Sequence, residues 1–469
     1  MYKLSAIEKD FDNIITDIGE PKWMREIRKE AFQSYSKLPF EVSQLYRKYS
    51  NANYLIPEKV FIDEKNVDRG TEEFNERLED LNSGPSILCK NSKVIKTFLP
   101  EELRKQGVII SDILEAINNF PDLIYNFMIK NKLDCNEDRY LALSLAAFQN
   151  GFFVYVPREV VIEDPLKIVN HLSKNGSSSI TRNIVISEPY SKCTIVQELY
   201  SPNIQNQDIQ QSYFELFDTY VMDNSQLEII TLQSLGYDAV NFSNRKAFVQ
   251  NDARMFWSLG LFGTKLSRYK IDSVMKGQGS SVEDMEIIFG IDNQSFDITS
   301  NLIHSAPNTK GKVIVKSVMK DKSQSLFKGM IKINKDAKSA ESYLAGHAIL
   351  LDKGAKSDAI PGLEIESNEV KATHSASVSQ IDEKQIFYLM SRGLSRELAK
   401  REIVGGFLEP ISRRMDPIIR AWISYLIDNK WSGKPLILRT DEALEQILEV
   451  EKTRYREIED MFEKHYKYR

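Results

Sequence analysis

The sequence predicts a mainly β chain with helical ends, on three observations. The texture changes at Gly151 to Phe152-Phe153-Val154-Tyr155-Val156-Pro157, and β-branched and aromatic residues then dominate for more than two hundred residues. Turn formers punctuate that stretch at Asp223-Asn224, Gly236, Asn251-Asp252, Gly263, Gly277, Asp292-Asn293, Asn308, Asp321, Asp336, Lys353-Gly354 and Asn368. They fall roughly 12 to 17 residues apart, one strand plus one turn per step. No long amphipathic helix intervenes to make a crossover, which argues against a doubly wound α/β sheet. A sandwich, a barrel and a parallel β-helix all fit this pattern, and some 230 residues is long for one sandwich and natural for a solenoid.

Taken in order, residues 1–145 read as a mainly helical domain, with periodic stretches at Met24 to Tyr35 and Asp112 to Ile129 and loops at Pro57, Pro85 and Pro100. Residues 146–380 form the β core, where Ile331-Lys332-Ile333 and Leu363-Glu364-Ile365-Glu366 alternate as strands with one wet face must. Residues 381–431 return to a helical period. Asp382-Glu383 opens a helix with Ile386, Leu389 and Met390 on one face, and Arg392-Gly393 closes it. Ser395 caps a second helix striped by Leu398, Ala399, Ile403 and Phe407, in which Gly405-Gly406 predicts close packing or a local break. A third helix runs from Pro417 to Asn429. Residues 432–469 form a charged helical extension, with Leu444, Ile447, Leu448, Ile458 and Phe462 as an apolar stripe that docks it along one side.

The composition narrows the function. Lys+Arg 62 against Asp+Glu 67 leaves a net charge of -5, so no global positive field draws in nucleic acid. The amino terminus lacks a signal sequence, and the most apolar helical run, Ala421 to Ile427, is cut off by Asp428; a cytoplasmic protein without membrane insertion is expected. Cys89, Cys135 and Cys193 are too scattered for a disulfide framework or a CxxC metal site and read as buried thiols. The Asn-X-Ser sequons at Asn175, Asn241 and Asn293 read as chance matches.

Catalytic motifs are missing. There is no GxxxxGK[ST] loop and no GxGxxG turn; Gly277-Gln278-Gly279-Ser280-Ser281 reads as a plain turn, so the chain is not expected to hydrolyse ATP itself. His171, His304, His347, His374 and His465 form no zinc motif, although stacking of late strands would bring His347 and His374 near each other. The acidic rows Glu283, Asp284, Glu286 and Glu364, Glu366 read as the wet face of strands rather than paired catalytic carboxylates.

Five segments carry a resemblance. Ala372-Thr373-His374-Ser375-Ala376-Ser377-Val378, followed by Ile381-Asp382-Glu383-Lys384-Gln385-Ile386-Phe387-Tyr388-Leu389-Met390-Ser391-Arg392-Gly393-Leu394, resembles the signature of the B/D scaffold family of the Suf iron-sulfur cluster assembly system. Gly19-Glu20-Pro21-Lys22-Trp23-Met24, Phe153-Val154-Tyr155-Val156-Pro157, Thr309 to Gly329 and Ile403-Val404-Gly405-Gly406-Phe407 are similar to further family segments. The resemblance implies a right-handed parallel β-helix core between helical domains, and a non-catalytic scaffold or accessory subunit that builds and transfers a nascent Fe-S cluster. It implies two partners: a SufC-like ABC-type ATPase on the C-terminal helices, with Ile386, Tyr388, Leu389, Arg392, Gly393 and Leu394 as docking residues, and a SufB/SufD paralogue on the last β strands. The B type's candidate ligands, a cysteine and a glutamate, fall here on Gly346 and Thr373, while its signature histidine falls on His374. A D-like subunit is therefore expected, holding a transient cluster shared with the paralogue and with His374 as the metal candidate at that interface. The alternative is a stand-alone B-like homodimer that binds the cluster itself.

Overall fold

The computed structural model describes residues 2–16, 19–49, 54–62, 74–75, 78–173, 176–204, 206–415 and 417–434. Asn175, His465 and the predicted extension from residue 435 lie outside the described residues. The chain divides into two compact units, residues 1–70 with 81–380, and residues 71–80 with 381–469.

The first unit is a parallel β-solenoid of about eight turns. Consecutive strands from Phe152–Val156 to Lys371–Gln380 alternate between two sheets, and each pairs in parallel with the strand two places on. Ser212 stands opposite Val240, Val240 opposite Leu266 and Leu266 opposite Ser295, a step of roughly thirty residues per turn. The corners explain the predicted punctuation. Asn224, Asp252 and Asn308 have φ of 57°, 52° and 59°, a left-handed conformation that Asn and Asp tolerate better than other side chains, and Gly279 takes it at 71°. Their amides then reach the next corner: Asn224 donates to the carbonyl of Asn251 (2.8 Å), Asp252 to Gln278 (2.8 Å), Gly279 to Pro307 (3.1 Å) and Asn308 to Lys338 (2.8 Å). Each turn thus templates its neighbour through its corner as well as its strands.

Between the sheets lies one continuous apolar core, including Phe217, Ile229, Trp257, Tyr269, Val313 and Leu344. The N-terminal region is helical in the main but also supplies strands. Ser86–Lys90 pairs in parallel with Leu166–His171, Lys93–Phe98 extends that sheet antiparallel, and Ile109–Asp112 pairs antiparallel with Phe152–Val156. Antiparallel strands thereby terminate the parallel stack at its first turn. The stretch predicted as one helix is two, Ile113–Asn119 and Pro121–Lys130, because Pro121 lacks the amide to continue the first and is preorganised to start the second.

Helix Arg139–Ala147 packs on strands Ser212–Val221 and Val240–Val249, with the Tyr140 ring stacked 4.0 Å from that of Phe242. Its C-terminal carbonyls explain the Gly19 to Met24 segment. Arg28 donates to the carbonyls of Ala146 (3.1 Å) and Phe148 (2.8 Å), where the macrodipole favours a cation, and its Nε pairs with Glu20 at 2.9 Å. Both side chains are buried, so Glu20 is a structural residue.

The second unit contains helices Glu383–Ser391, Arg396–Ser412 and Pro417–Trp431. The Asp382 side chain accepts from the Lys384 amide (2.8 Å) and the Ser395 hydroxyl from the Leu398 amide (3.3 Å), the caps the sequence indicates. Gly405-Gly406 behaves differently from expectation. The helix runs through without a break, and among the described residues a Cβ at either position would meet nothing within 4 Å.

Candidate functional site

The last turn of the solenoid consists of Lys356–Ile365 in one sheet and Lys371–Gln380 in the other. Each pairs along one edge only, with Gln324–Ile333 and Glu341–Leu350 respectively, and among the described residues nothing pairs along the other. Here the alternating code of the core is exposed: Leu363, Ile365 and Val378 are 38%, 42% and 43% accessible. His374 stands in register on Leu344, which stands on Val313, so it belongs to an inward-facing column and is exposed because the column ends there.

His347 and His374 lie on adjacent strands but do not converge. His347 sits opposite Ser377 and bonds its hydroxyl through Nδ1 at 2.7 Å, three residues from His374 and hence on the other face. Burial and the neighbouring Lys316 charge push the His347 imidazole below its ordinary range, which favours its neutral form. Thr373 falls opposite Tyr343 on that same outer face. Gly346 is enclosed, and a Cβ there would clash with the Phe327 ring, which already occupies the space a side chain would need.

The thiols take no part. All three cysteines are buried, and burial pushes Cys135 up to about 11, Cys193 up to about 12 and Cys89 higher still, so none offers a thiolate at neutral pH. Among the described residues, no group of three or more His, Cys, Asp or Glu side chains is placed to hold a metal ion.

Of the residues assigned to docking in the C-terminal helices, Tyr388 is 57% accessible and Arg392 packs over its ring at 5.3 Å, with Gly393 exposed beside them. Leu389 and Leu394 are half-buried, while Ile386 is buried. The most exposed apolar side chain of this region is Phe387, at 74%, with Met390 at 42%. The predicted stripe of Ile386, Leu389 and Met390 passed over Phe387, since it follows the buried position by one residue.

Sequence reasoning also placed Asp284 and Glu286 wrongly. Both lie inside the solenoid, at 1% and 0% accessible, with the Ser300 hydroxyl between them at 2.8 Å from Asp284 and 2.6 Å from Glu286. Burial, and for Glu286 the adjacent Asp284 charge, raise both carboxyls well above the usual carboxylate range. They are the edge of a polar seam. Glu215 accepts from Asn183 (2.8 Å), Gln197 (2.7 Å), Tyr213 (3.1 Å), Ser243 and Arg245 (3.0 Å), and Arg245 in turn donates to Thr231 at 2.7 Å. Alternation alone puts polar residues on the wet face, so nothing in the pattern marks a seam that runs inward. Val313 and Leu344 separate Asp284 from His374 in the column, about 14 Å at ordinary strand spacing, so the seam is not part of the last-turn site.

Comparison with known proteins now fixes the family. The profile described as SUF system FeS cluster assembly, SufBD core domain, matches residues 170–407, and the SufBD protein N-terminal region matches residues 9–168. The chain belongs to the SufBD family. The core match begins in the first full turns and runs through His374 and the exposed last turn into the second C-terminal helix. An iron-sulfur cluster assembly SufBD family protein of Staphylococcus epidermidis is 26% identical over 422 residues, covering 86% of this chain and 89% of its own length. SufBD family proteins of Staphylococcus haemolyticus and Staphylococcus aureus are 25% identical over the same share. As a SufBD family member, the protein is tied to Fe-S cluster assembly within the Suf system.

Proposed function

We propose that this SufBD protein is a non-catalytic, D-like scaffold subunit that forms a transient Fe-S cluster site jointly with a B-type paralogue paired on its last turn. The observation that carries this reading is the exposed end of the inward column: His374 and the apolar Leu363, Ile365 and Val378 on two strands with open edges. Parallel strands of a second chain can continue both ladders there, in the manner of β-augmentation. The paralogue supplies the thiolate and carboxylate ligands, since Phe327 fills the space at Gly346 and the three thiols are buried and neutral. An ABC-type ATPase subunit supplies nucleotide hydrolysis, docking on the exposed Phe387, Tyr388 and Arg392 surface and transmitting its closure to the paired solenoids.

The test is anaerobic co-purification with the candidate ATPase and B-type paralogue, followed by iron and sulfide reconstitution of the complex and of this chain alone. A cluster that forms only in the complex supports the D-like role. A stable cluster on the chain alone overturns it in favour of a homodimeric scaffold.

A further inference from the structure

Helices Lys22–Lys37, Pro121–Lys130 and Arg139–Ala147 border a cavity of about 250 Å³ on the outer face of the parallel sheet. Ile27, Met128, Leu133 and Leu145 wall it, and the rings of Trp23 and Tyr125 meet at 5.2 Å beside its mouth, edge towards face. Tyr125 and Ile129 are 37% and 49% exposed there, so the mouth is open to solvent. Arg182 and Tyr220 close the inner end, both buried on neighbouring strands, Ser179–Ser187 and Ser212–Val221. Arg182 directs Nε and Nη2 at Asp218 Oδ2, at 3.1 and 2.6 Å. Its Nη1 has no hydrogen-bond partner among the described residues, and neither has the Tyr220 hydroxyl. Tyr220 lies two residues from Asp218 on the same strand face, so both open donors flank one carboxylate. Asp218 Oδ1 is unpaired as well but does not line the cavity. Buried polar groups are nearly always paired, and two open donors at one apolar cavity call for an acceptor that the chain does not supply.

We infer that this cavity binds a small uncharged aromatic carbonyl compound, whose ring fills the apolar space and whose oxygen accepts from Arg182 Nη1 and the Tyr220 hydroxyl. Size agrees, since a cavity of about 150 Å³ suffices for benzene and this one leaves room for a substituted ring. Trp23 and Tyr125 at the mouth favour an aromatic ligand over an aliphatic one. A carbonyl oxygen carries two lone pairs, one for each open donor. Charge argues against an anion. Arg182 is already balanced by Asp218, Glu30 by Lys132 at 3.1 Å and Glu26 by Lys22 at 3.8 Å. A bound carboxylate would leave a surplus buried charge, whereas a ketone adds none. A lone water would satisfy the two donors and leave the apolar walls empty. The cavity adjoins the early turns of the solenoid and is separate from the last turn that carries the cluster reading.

The experiment is calorimetric titration of the full chain with acetophenone, ethylbenzene and benzoate, in the parent, Tyr220→Phe and Leu133→Trp forms. Acetophenone is expected to bind the parent about tenfold more tightly than either of the other two. Tyr220→Phe should weaken acetophenone about fivefold while leaving ethylbenzene affinity and the thermal midpoint unchanged, because the hydroxyl it removes has no partner to lose. Leu133→Trp fills the cavity and should abolish binding of acetophenone and ethylbenzene; if that form does not fold, Ile27→Trp nearer the mouth takes its place. No detectable acetophenone binding overturns the inference. So does equal or tighter binding of ethylbenzene or benzoate, or acetophenone affinity untouched by Tyr220→Phe. Binding that survives the filled cavity also overturns it, since the ligand would then sit elsewhere.

Discussion

At the scale of single residues, burial within the solenoid decides which side chains can titrate. His304 is fully buried between the Thr309 hydroxyl at 2.8 Å and the Ser342 hydroxyl at 3.0 Å, and burial pushes it down to about 4. The unfolded chain has an ordinary imidazole near 6.5, so between about 6.5 and 4 the unfolded state binds the extra proton and stability falls as the pH falls. That loss amounts to about 3 kcal/mol over the window. Replacing His304 by Gln should flatten this part of the profile, measured as the difference in urea midpoint between about pH 7 and about pH 4.5 in the two proteins. An equal loss in both would show that His304 is not the titrating group. His374 differs, being exposed at the end of its column. His374→Ala should therefore leave the unfolding free energy from urea titration within about 0.5 kcal/mol of the parent while lowering reconstituted cluster yield several-fold. An unchanged yield removes the imidazole from cluster chemistry. The sequence singled out His374 because it lies within a family signature, but its exposure was not legible, since that depends on where the stack of turns stops.

At the scale of elements, corners and caps do most to fix the geometry. Asn308 holds φ at 59° and passes its amide to Lys338, a conformation a β-branched side chain reaches only at a cost. Asn308→Val should destabilise by about 1–2 kcal/mol and Asn308→Gly by little, read from thermal midpoints. Similar losses for both would mean that the Asn side chain, and not the backbone angle, matters. The C-terminal hairpin invites a separate test of the docking surface. Phe387→Glu with Tyr388→Glu changes two exposed side chains and should abolish ATPase capture while leaving helicity intact by circular dichroism. Retained capture would move the dock elsewhere. Caps, corners and helix hairpin were all readable from sequence, because Asp382, Ser395, Asn224 and Asn308 act through their own local backbone. The inward acid pair Asp284 and Glu286 was not, because alternation says which residues share a face and is silent on which face is wet when a polar seam fills the interior.

At the scale of the molecule, the eight turns form a stack in which each strand pairs with the strands of the adjacent turns, closed at one end by antiparallel strands and, among the described residues, unpaired at the other. Regular turn spacing announced a repeating β architecture but could not choose solenoid over sandwich, since pairing partners some thirty residues apart leave no local trace. Such a stack should show graded hydrogen exchange, slowest in the middle turns near Arg245 and fastest in Lys356–Ile365 and Lys371–Gln380, with those last two strands slowing on addition of the B-type paralogue. Val378→Lys with Leu363→Lys should prevent that slowing, and pairing that survives both charges would place the interface on another face. The bare last turn has a further consequence, for cell economy. A parallel stack that stops with its ladder open is a template indifferent to what grows on it, so a copy without its closing partner offers the same edge to any nascent strand nearby. If a paralogue closes that edge as proposed, matched dosage of the two chains follows from the geometry of two strands, and an imbalance in synthesis would surface first as aggregation and proteolysis of whichever chain is in excess.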